Sequence, residues 1–479
     1  MEIIIEGYLQ ALRNFASAEI WLIMAIGLLI GFFFGIVPGI SGAVALALIL
    51  PFVFKMSPLQ ALPLMMAIMA TQYQGGSIST ILLGLPGTPG SAATILDGFA
   101  MSKKGEAGRA LGAAQMSSAL SNIITALMAL AIIPLVLPIA FAIHSQEMVF
   151  ITMLGVSFIA VLGSGSQLKG LISAGIGFLI SLIGFQATTA VPRFTFGSLY
   201  LYGGFSIIPV VLGLFALPEM VALAARGGTI SRVKVEIKGF TDVLRGVRDV
   251  FHHWPLVLRS NVIAFLLGLI PAIGASAATF VAYGQAKQMS KHPETFGQGN
   301  VEGVIAPESA NNAVEAGALL TTLALGIPGS GIMALMLGAF VILGLQPGPE
   351  MLTKHLGLSL SLIWVIGATA VMGLPFYLPL CTRMAAVATT PARILVPLVI
   401  VVLSVGSFVY HGVFNDLLAT FAFGIIGTLM RRYQFNRPAL FLAFVLGPLL
   451  EKYLFISLKL SGPMFFLRPV SLVIMVVII

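Results

Sequence analysis

Charge is what this sequence has least of: Asp, Glu, Lys and Arg together make up 9% of its 479 residues, against 58% hydrophobic side chains. A soluble fold of that length must cover its surface with charge, so the ratio excludes one and leaves a chain solvated by lipid. Cysteine is almost missing as well. With Cys381 alone there is no internal disulfide and no Cys-based metal cluster. The six histidines, His144, His252, His253, His292, His355 and His411, form no HExxH, and neither a GxxxxGK[ST] phosphate loop nor a GxSxG elbow occurs. Gly297, Gly299 and Gly303 imitate a dinucleotide fingerprint, but the spacing is one residue too long and no strand precedes it. The chain is therefore expected not to be an enzyme, to hydrolyse no ATP and to hold no cofactor. Its formal charge of +8 is spread over short loops between apolar stretches, where basic residues orient a membrane chain and do not bind nucleic acid.

What is present is apolar sequence in long runs without the ten-residue dyad pattern of a transmembrane barrel. The expected fold is an all-α polytopic membrane protein. Residues 1–19 carry Glu2 and Glu6 where a signal peptide would be basic, and read as a retained interfacial helix. Residues 20–225 read as a first transmembrane repeat, 226–254 as a basic cytoplasmic connector, and 255–479 as a second transmembrane repeat. About 20 residues cross the hydrocarbon core, so the stretches 20–54, 58–101, 255–286 and 308–346 must be kinked, re-entrant or paired helices. Each has Pro-Gly or Pro-Ala near its middle.

The breaks recur in both halves. GIVPGISGA at 35 is echoed by GLIPAIGAS at 268, and LGLPGTPG at 83 by LGIPGSGI at 325, with the proline spacing nine residues longer in the second half. Basic residues swap places: Lys103, Lys104 and Arg109 follow the second break of the first half, whereas Lys287, Lys291 and His292 follow the first break of the second half. Inverted-topology repeats, with broken or re-entrant helices meeting near mid-membrane, produce that swap.

Discontinuous helices expose backbone N–H groups where nothing else in a bilayer solvates an anion. The expected anion-binding residues are therefore Gly39, Ser41 and Gly42; Thr88, Gly90, Ser91 and Thr94; Ser276 and Thr279; and Gly329 and Ser330. A second cluster, APESANNAVEAG, puts Glu308, Asn311, Asn312 and Glu315 on one helical face. Such oxygens suit a hard cation such as Na⁺ or a protonatable coupling site; a helix start capped by Ser309 accounts for the same pattern. Asp97 either lines the transport path or marks the interface before Lys103 and Lys104. The expected coupling-ion residues are Asn311, Asn312, Glu308 and Asp97, with no metal beyond Na⁺, and H⁺ as the alternative ion.

With these motifs assembled, the chain resembles the large membrane subunit of the tripartite tricarboxylate transporters. The resemblance spans nearly the whole length and rests on GIVPGISGA, QGGSISTILLGLPGTPGSAATILDGFAMSKKGEAGRALG, FGQGNVEGVIAPESANNAVEAGALLTTLALGIPGSG and GLQPGP. It implies a multi-pass protein of the bacterial inner membrane that imports carboxylates such as citrate by cation symport. It further implies two partners, a small membrane subunit and an extracytoplasmic solute-binding protein. Ala272 stands where the first half has Gly39, so the second-half break is expected to be less open. An anion channel with a Gly-rich filter and an intramembrane enzyme are the readings from other classes.

Overall fold

Helices account for nearly all of the computed structural model, which describes residues 2–37, 40–162, 166–186, 189–226, 239–271, 273–384, 391–468, 471–472 and 474–475. Among these residues the only strands are β1 (Gly184–Phe185) and β2 (Pro192–Arg193), paired antiparallel. The all-α expectation holds. Six helices are long and apolar enough to cross a membrane, or seven if a pair bent by 72° counts as one span.

Each of the four overlong stretches folds as more than one helix. After α1 (Glu2–Phe15), the stretch 20–54 becomes α2 (Ala18–Ile36) and α3 (Gly42–Val53). The stretch 58–101 becomes α4 (Pro58–Leu83), a 3₁₀ turn at Pro89–Ser91 and α5 (Ile95–Lys103). The first half continues through α6 (Ala107–Ala142), α7 (Ser145–Leu162), α8 (Gln167–Ser181) and α9 (Ile207–Val211), then a π turn at Leu212–Ala216 leading into α10 (Leu217–Arg226). In the second half, α11 (Phe240–His252) bends into α12 (Trp254–Gly268), and α13 (Gly274–Met289) completes the stretch 255–286. The stretch 308–346 folds as α14 (Glu302–Leu325) and α15 (Gly331–Ile342). Then come α16 (Pro349–Thr353), α17 (Leu356–Leu380), α18 (Ala392–His411), α19 (Phe414–Arg432) and α20 (Arg437–Ser461).

The chemistry of the breaks is local. Gly84 ends α4 at φ 66° and Gly326 ends α14 at φ 71°, a left-handed conformation that glycine adopts without strain. Each donates its N–H to a threonine carbonyl one turn back, Thr80 and Thr322. Two residues later Pro86 and Pro328 remove the donor that a continuing helix needs. Pro38, Gly39 and Ala272 lie outside the described residues.

Polarity decides which helices are central. α4 carries Thr71, Gln72, Gln74 and Ser77, and α14 carries Glu308, Asn311, Asn312 and Glu315, groups that hydrocarbon does not solvate. Every residue from Ala61 to Leu83 and from Gly303 to Ala324 is buried. Apolar α2 covers α4, and α12 covers α14. On the outside, α18 exposes Ile394, Leu398, Val401 and Val405 in a helical stripe suited to lipid.

Small residues set how closely these helices approach. A Cβ at Gly35 would collide with Gln72 O, and one at Gly268 with Val314 O. A Cβ at Gly75 would strike Phe32 O, and one at Gly317 Phe265 O; Gly87 sits against Gly35 O, and Gly329 against Gly268 O. The same contacts thus recur at two fixed offsets, 233 residues for one helix (Gly35 to Gly268) and 242 for its partner (Gln72 to Val314). The difference of nine matches the longer proline spacing of the second half.

Part of the basic connector is helical. Its last part is α11, docked on α6 so closely that Gly112 lies under Val243 O and Gly246 under Arg109 O. Arg109 Nε donates to Asp249 Oδ2 at 2.6 Å across the same contact. Val243, Gly246 and Val250 are the buried residues of α11, and the half-buried Arg109–Asp249 pair lies beside them.

Candidate functional site

A cavity of about 710 Å³ opens where the breaks meet. Ser41, Thr88, Gly90, Ser276 and Ser330, five of the expected anion-binding residues, line it. Ser41 is the N-cap of α3, and Ser330 caps α15, accepting from Met333 N at 3.2 Å. Thr88 precedes the 3₁₀ turn, and Ser276 lies in the first turn of α13. Three α-helices therefore start at one cavity, each with unpaired N–H groups and the positive end of its dipole. A fourth, α20, starts there too, capped by Asn436, which accepts from Ala439 N at 3.0 Å.

The remaining expected residues stand behind this surface. Ser91 shares a hydrogen bond of 2.7 Å with Thr88, Thr279 donates to Ser276 O at 2.9 Å, and Gly329 packs on Ala318. Thr94 donates to Glu308 Oε1 at 2.6 Å, away from the cavity lining. Gly42 is small because a Cβ there would collide with the Gln72 carboxamide. Gly39 is outside the described residues.

Glu315, read in the sequence with the cation cluster, lines this cavity, and Gln72 and two arginines go beyond what the sequence suggests. Gln72 is 1% exposed, and neither its Oε1 nor its Nε2 has a partner among the described residues. A buried amide without partners is costly, so Gln72 keeps a free donor and a free acceptor at the cavity. Glu315 accepts from Tyr73 Oη on Oε1 and from Ser330 Oγ on Oε2, both at 2.8 Å, and so fixes the serine at the tip of α15. Arg431 and Arg437 close one wall around a single carboxylate: Arg431 Nη1 donates to Glu219 Oε2 at 2.7 Å and Arg437 Nη2 to Oε1 at 3.2 Å. Two cations against one anion leave that wall with one positive charge in excess. The sequence signal for Gln72 was a polar residue inside an apolar run; the arginines look there like ordinary orientation charges.

The second cluster is separate. Glu308 is fully buried, accepting from Thr94, from Asn311 Nδ2 at 3.0 Å and from Ser118 Oγ at 3.3 Å. Asn312 Nδ2 donates to Ser118 O at 3.1 Å. The Oδ1 atoms of Asn122, Asn311 and Asn312 are buried without partners, an excess of oxygen acceptors that a hard cation would satisfy. α14 starts at Glu302, so these residues lie inside the helix, and capping by Ser309 is ruled out. Glu308 and Glu315 face different neighbours, α5 and α6 for the first, α4 and the α15 tip for the second.

Asp97 belongs to neither cluster. Its Oδ1 accepts from the amides of Gly297, Gly299 and Asn300 at 2.8–2.9 Å, and its Oδ2 from Tyr283 Oη at 2.8 Å. Those four donors take up the carboxylate's acceptor positions and tie α5 to the loop before α14. Among the described residues no three His, Cys, Asp or Glu side chains are placed to share a metal ion.

Comparison with known proteins agrees with the polytopic fold. The family model described as "Tripartite tricarboxylate transporter TctA family" matches residues 21–442. An uncharacterised 52.8 kDa protein in the TAR-I ttuC′ 3′ region of Agrobacterium vitis is 33% identical over 90% of this chain and 85% of its own length. A second uncharacterised protein of that organism, in the TAR-II ttuC′ 3′ region, is 37% identical over 40% of this chain and 78% of its own. No solved structure matches. A match over most of the length, with the helix breaks at its motifs, places this multi-pass chain in the tripartite tricarboxylate transporter TctA family.

Proposed function

We propose that this transporter component imports a citrate-like tri- or dicarboxylate across the bacterial inner membrane by symport with Na⁺. In this reading the substrate arrives from a periplasmic solute-binding protein, and the chain works with a small membrane subunit. The observation that carries it is the cavity itself: four helix N-termini, hydroxyls from both halves, the unpartnered Gln72 and a wall with excess positive charge face one space. Glu315 lines the same space, its carboxylate held by Tyr73 and Ser330, and the helix ends and the arginine wall supply what an anion needs inside a bilayer.

The coupling ion is assigned to the oxygens of Glu308, Asn311 and Asn312. α14 connects that cluster to Glu315 and the α15 tip, so cation binding and anion binding bias the same helix and each strengthens the other by linkage. Two inverted repeats supply the movement. The recurring glycine contacts support this, as does the hydrogen bond between Tyr73 and Glu315, which stand at equivalent positions 242 residues apart. Asp97 also supports it, because it ties the first turn of α5 to the loop that follows α13.

Uptake of labelled citrate and succinate into proteoliposomes holding the complete transporter tests the reading. Symport predicts accumulation above equilibrium when an inward Na⁺ gradient is imposed and only slow equilibration without it. Equilibration that ignores Na⁺ and H⁺ gradients alike would point to a channel and sink the proposal.

A further inference from the structure

We infer that Arg431 and Arg437 determine substrate charge selectivity, holding a second carboxylate of the substrate while the helix tips hold the first. The inference rests on the anion-binding reading of the cavity and adds to it: the site discriminates di- and polycarboxylates from monocarboxylates.

Both guanidinium groups are half-buried, and such a charge persists in a membrane protein only where it is met. Here Glu219 meets both arginines and can neutralise one. Backbone carbonyls hold each side chain in place without cancelling charge: Arg431 Nη1 reaches Pro218 O at 3.1 Å, and Arg437 Nη1 reaches Leu214 O at 3.2 Å. Leu214 O is available because Pro218, four residues on, has no N–H to donate to it. Nε and Nη2 of Arg431 and Nε of Arg437 have no acceptor among the described residues, and both side chains border the cavity. Glu219 is thus a positioning residue for both arginines at the cavity: Arg431 keeps its Nε–Nη2 edge, the fork that suits a carboxylate, and Arg437 keeps Nε. The buried, unpartnered Gln72 on the opposing α4 gives the same cavity a second polar contact, independent of the arginines.

The test is thermal stabilisation of the purified protein by citrate, succinate and butyrate at constant ionic strength. It compares wild type with R431Q, R437Q, R437K and, as a control, the exposed α11 variant R245Q. Wild type should respond to citrate and succinate at lower concentration than to butyrate. R431Q and R437Q should raise the citrate and succinate midpoints by about 10- to 100-fold, the loss of a charge-assisted hydrogen bond, with butyrate unmoved. R437K should recover part of the loss, and R245Q should behave as wild type. If R437Q does not fold, R431Q gives the same readout, since Arg437 still pairs with Glu219. Variants that keep the wild-type preference for citrate over butyrate overturn the inference and leave the transport reading standing. A wild type indifferent to all three ligands overturns both.

Discussion

Among single residues, Glu308 separates the coupling assignment from a purely structural one. Its carboxylate has three side-chain donors, and three amide oxygens nearby in sequence or across the helix contact have none. E308Q keeps the shape and removes the charge. It is expected to fold and to lose most of the Na⁺ stimulation of citrate uptake, an effect of about 5- to 150-fold for a coupling free energy of ordinary size. Uptake by E308Q with undiminished Na⁺ stimulation would move the ion elsewhere. Ser41, Thr88 and Ser330 were legible in the sequence because small hydroxyls beside Pro-Gly mark a helix start. Gln72 stood out only as a polar residue inside an apolar run, and Arg431 and Arg437 as orientation charges, since their meaning depends on which distant helices share a cavity. The reading of Asp97 as a coupling residue rested on its place at the end of an apolar run, and the loop amides that hold it come from 200 residues away.

For the helices, backbone contact is the main constraint. α2 carries Gly27, Gly31 and Gly35 at four-residue spacing, and each lies against the backbone of α4. G35A and G268A are expected to destabilise the protein by about 1–3 kcal/mol each, the usual cost of overpacking, read as a fall in melting temperature. G175A, where an added Cβ meets nothing, should leave it unchanged or raise it slightly. Equal melting temperatures for G35A and G175A would contradict this packing. All four broken stretches could be read from the Pro-Gly or Pro-Ala near their middles; length alone does not decide, since α6 runs 36 residues as one helix. α11 could not, because its narrow buried face of Val243, Gly246 and Val250 lies in a charge-rich stretch and has meaning only against α6.

On the scale of the molecule, the inverted repeats predict sidedness. With K104C and K291C introduced singly, a membrane-impermeant maleimide should label both from the cytoplasmic face and neither from the periplasmic one; Cys381 is fully buried and should stay unlabelled. Labelling from opposite faces would break the inverted arrangement. The repeat was visible in sequence as two echoed motifs, whereas the single cavity they build was not, because it also takes α10, α19 and α20, which no motif marks. The central claim is that the substrate sits where the broken helices meet. Its most direct measurement is a structure of the transporter with citrate or succinate bound. Density touching Ser41, Thr88, Ser276 and Ser330, with a second carboxylate at Arg431 and Arg437, is the predicted result. Density outside that cavity would contradict it.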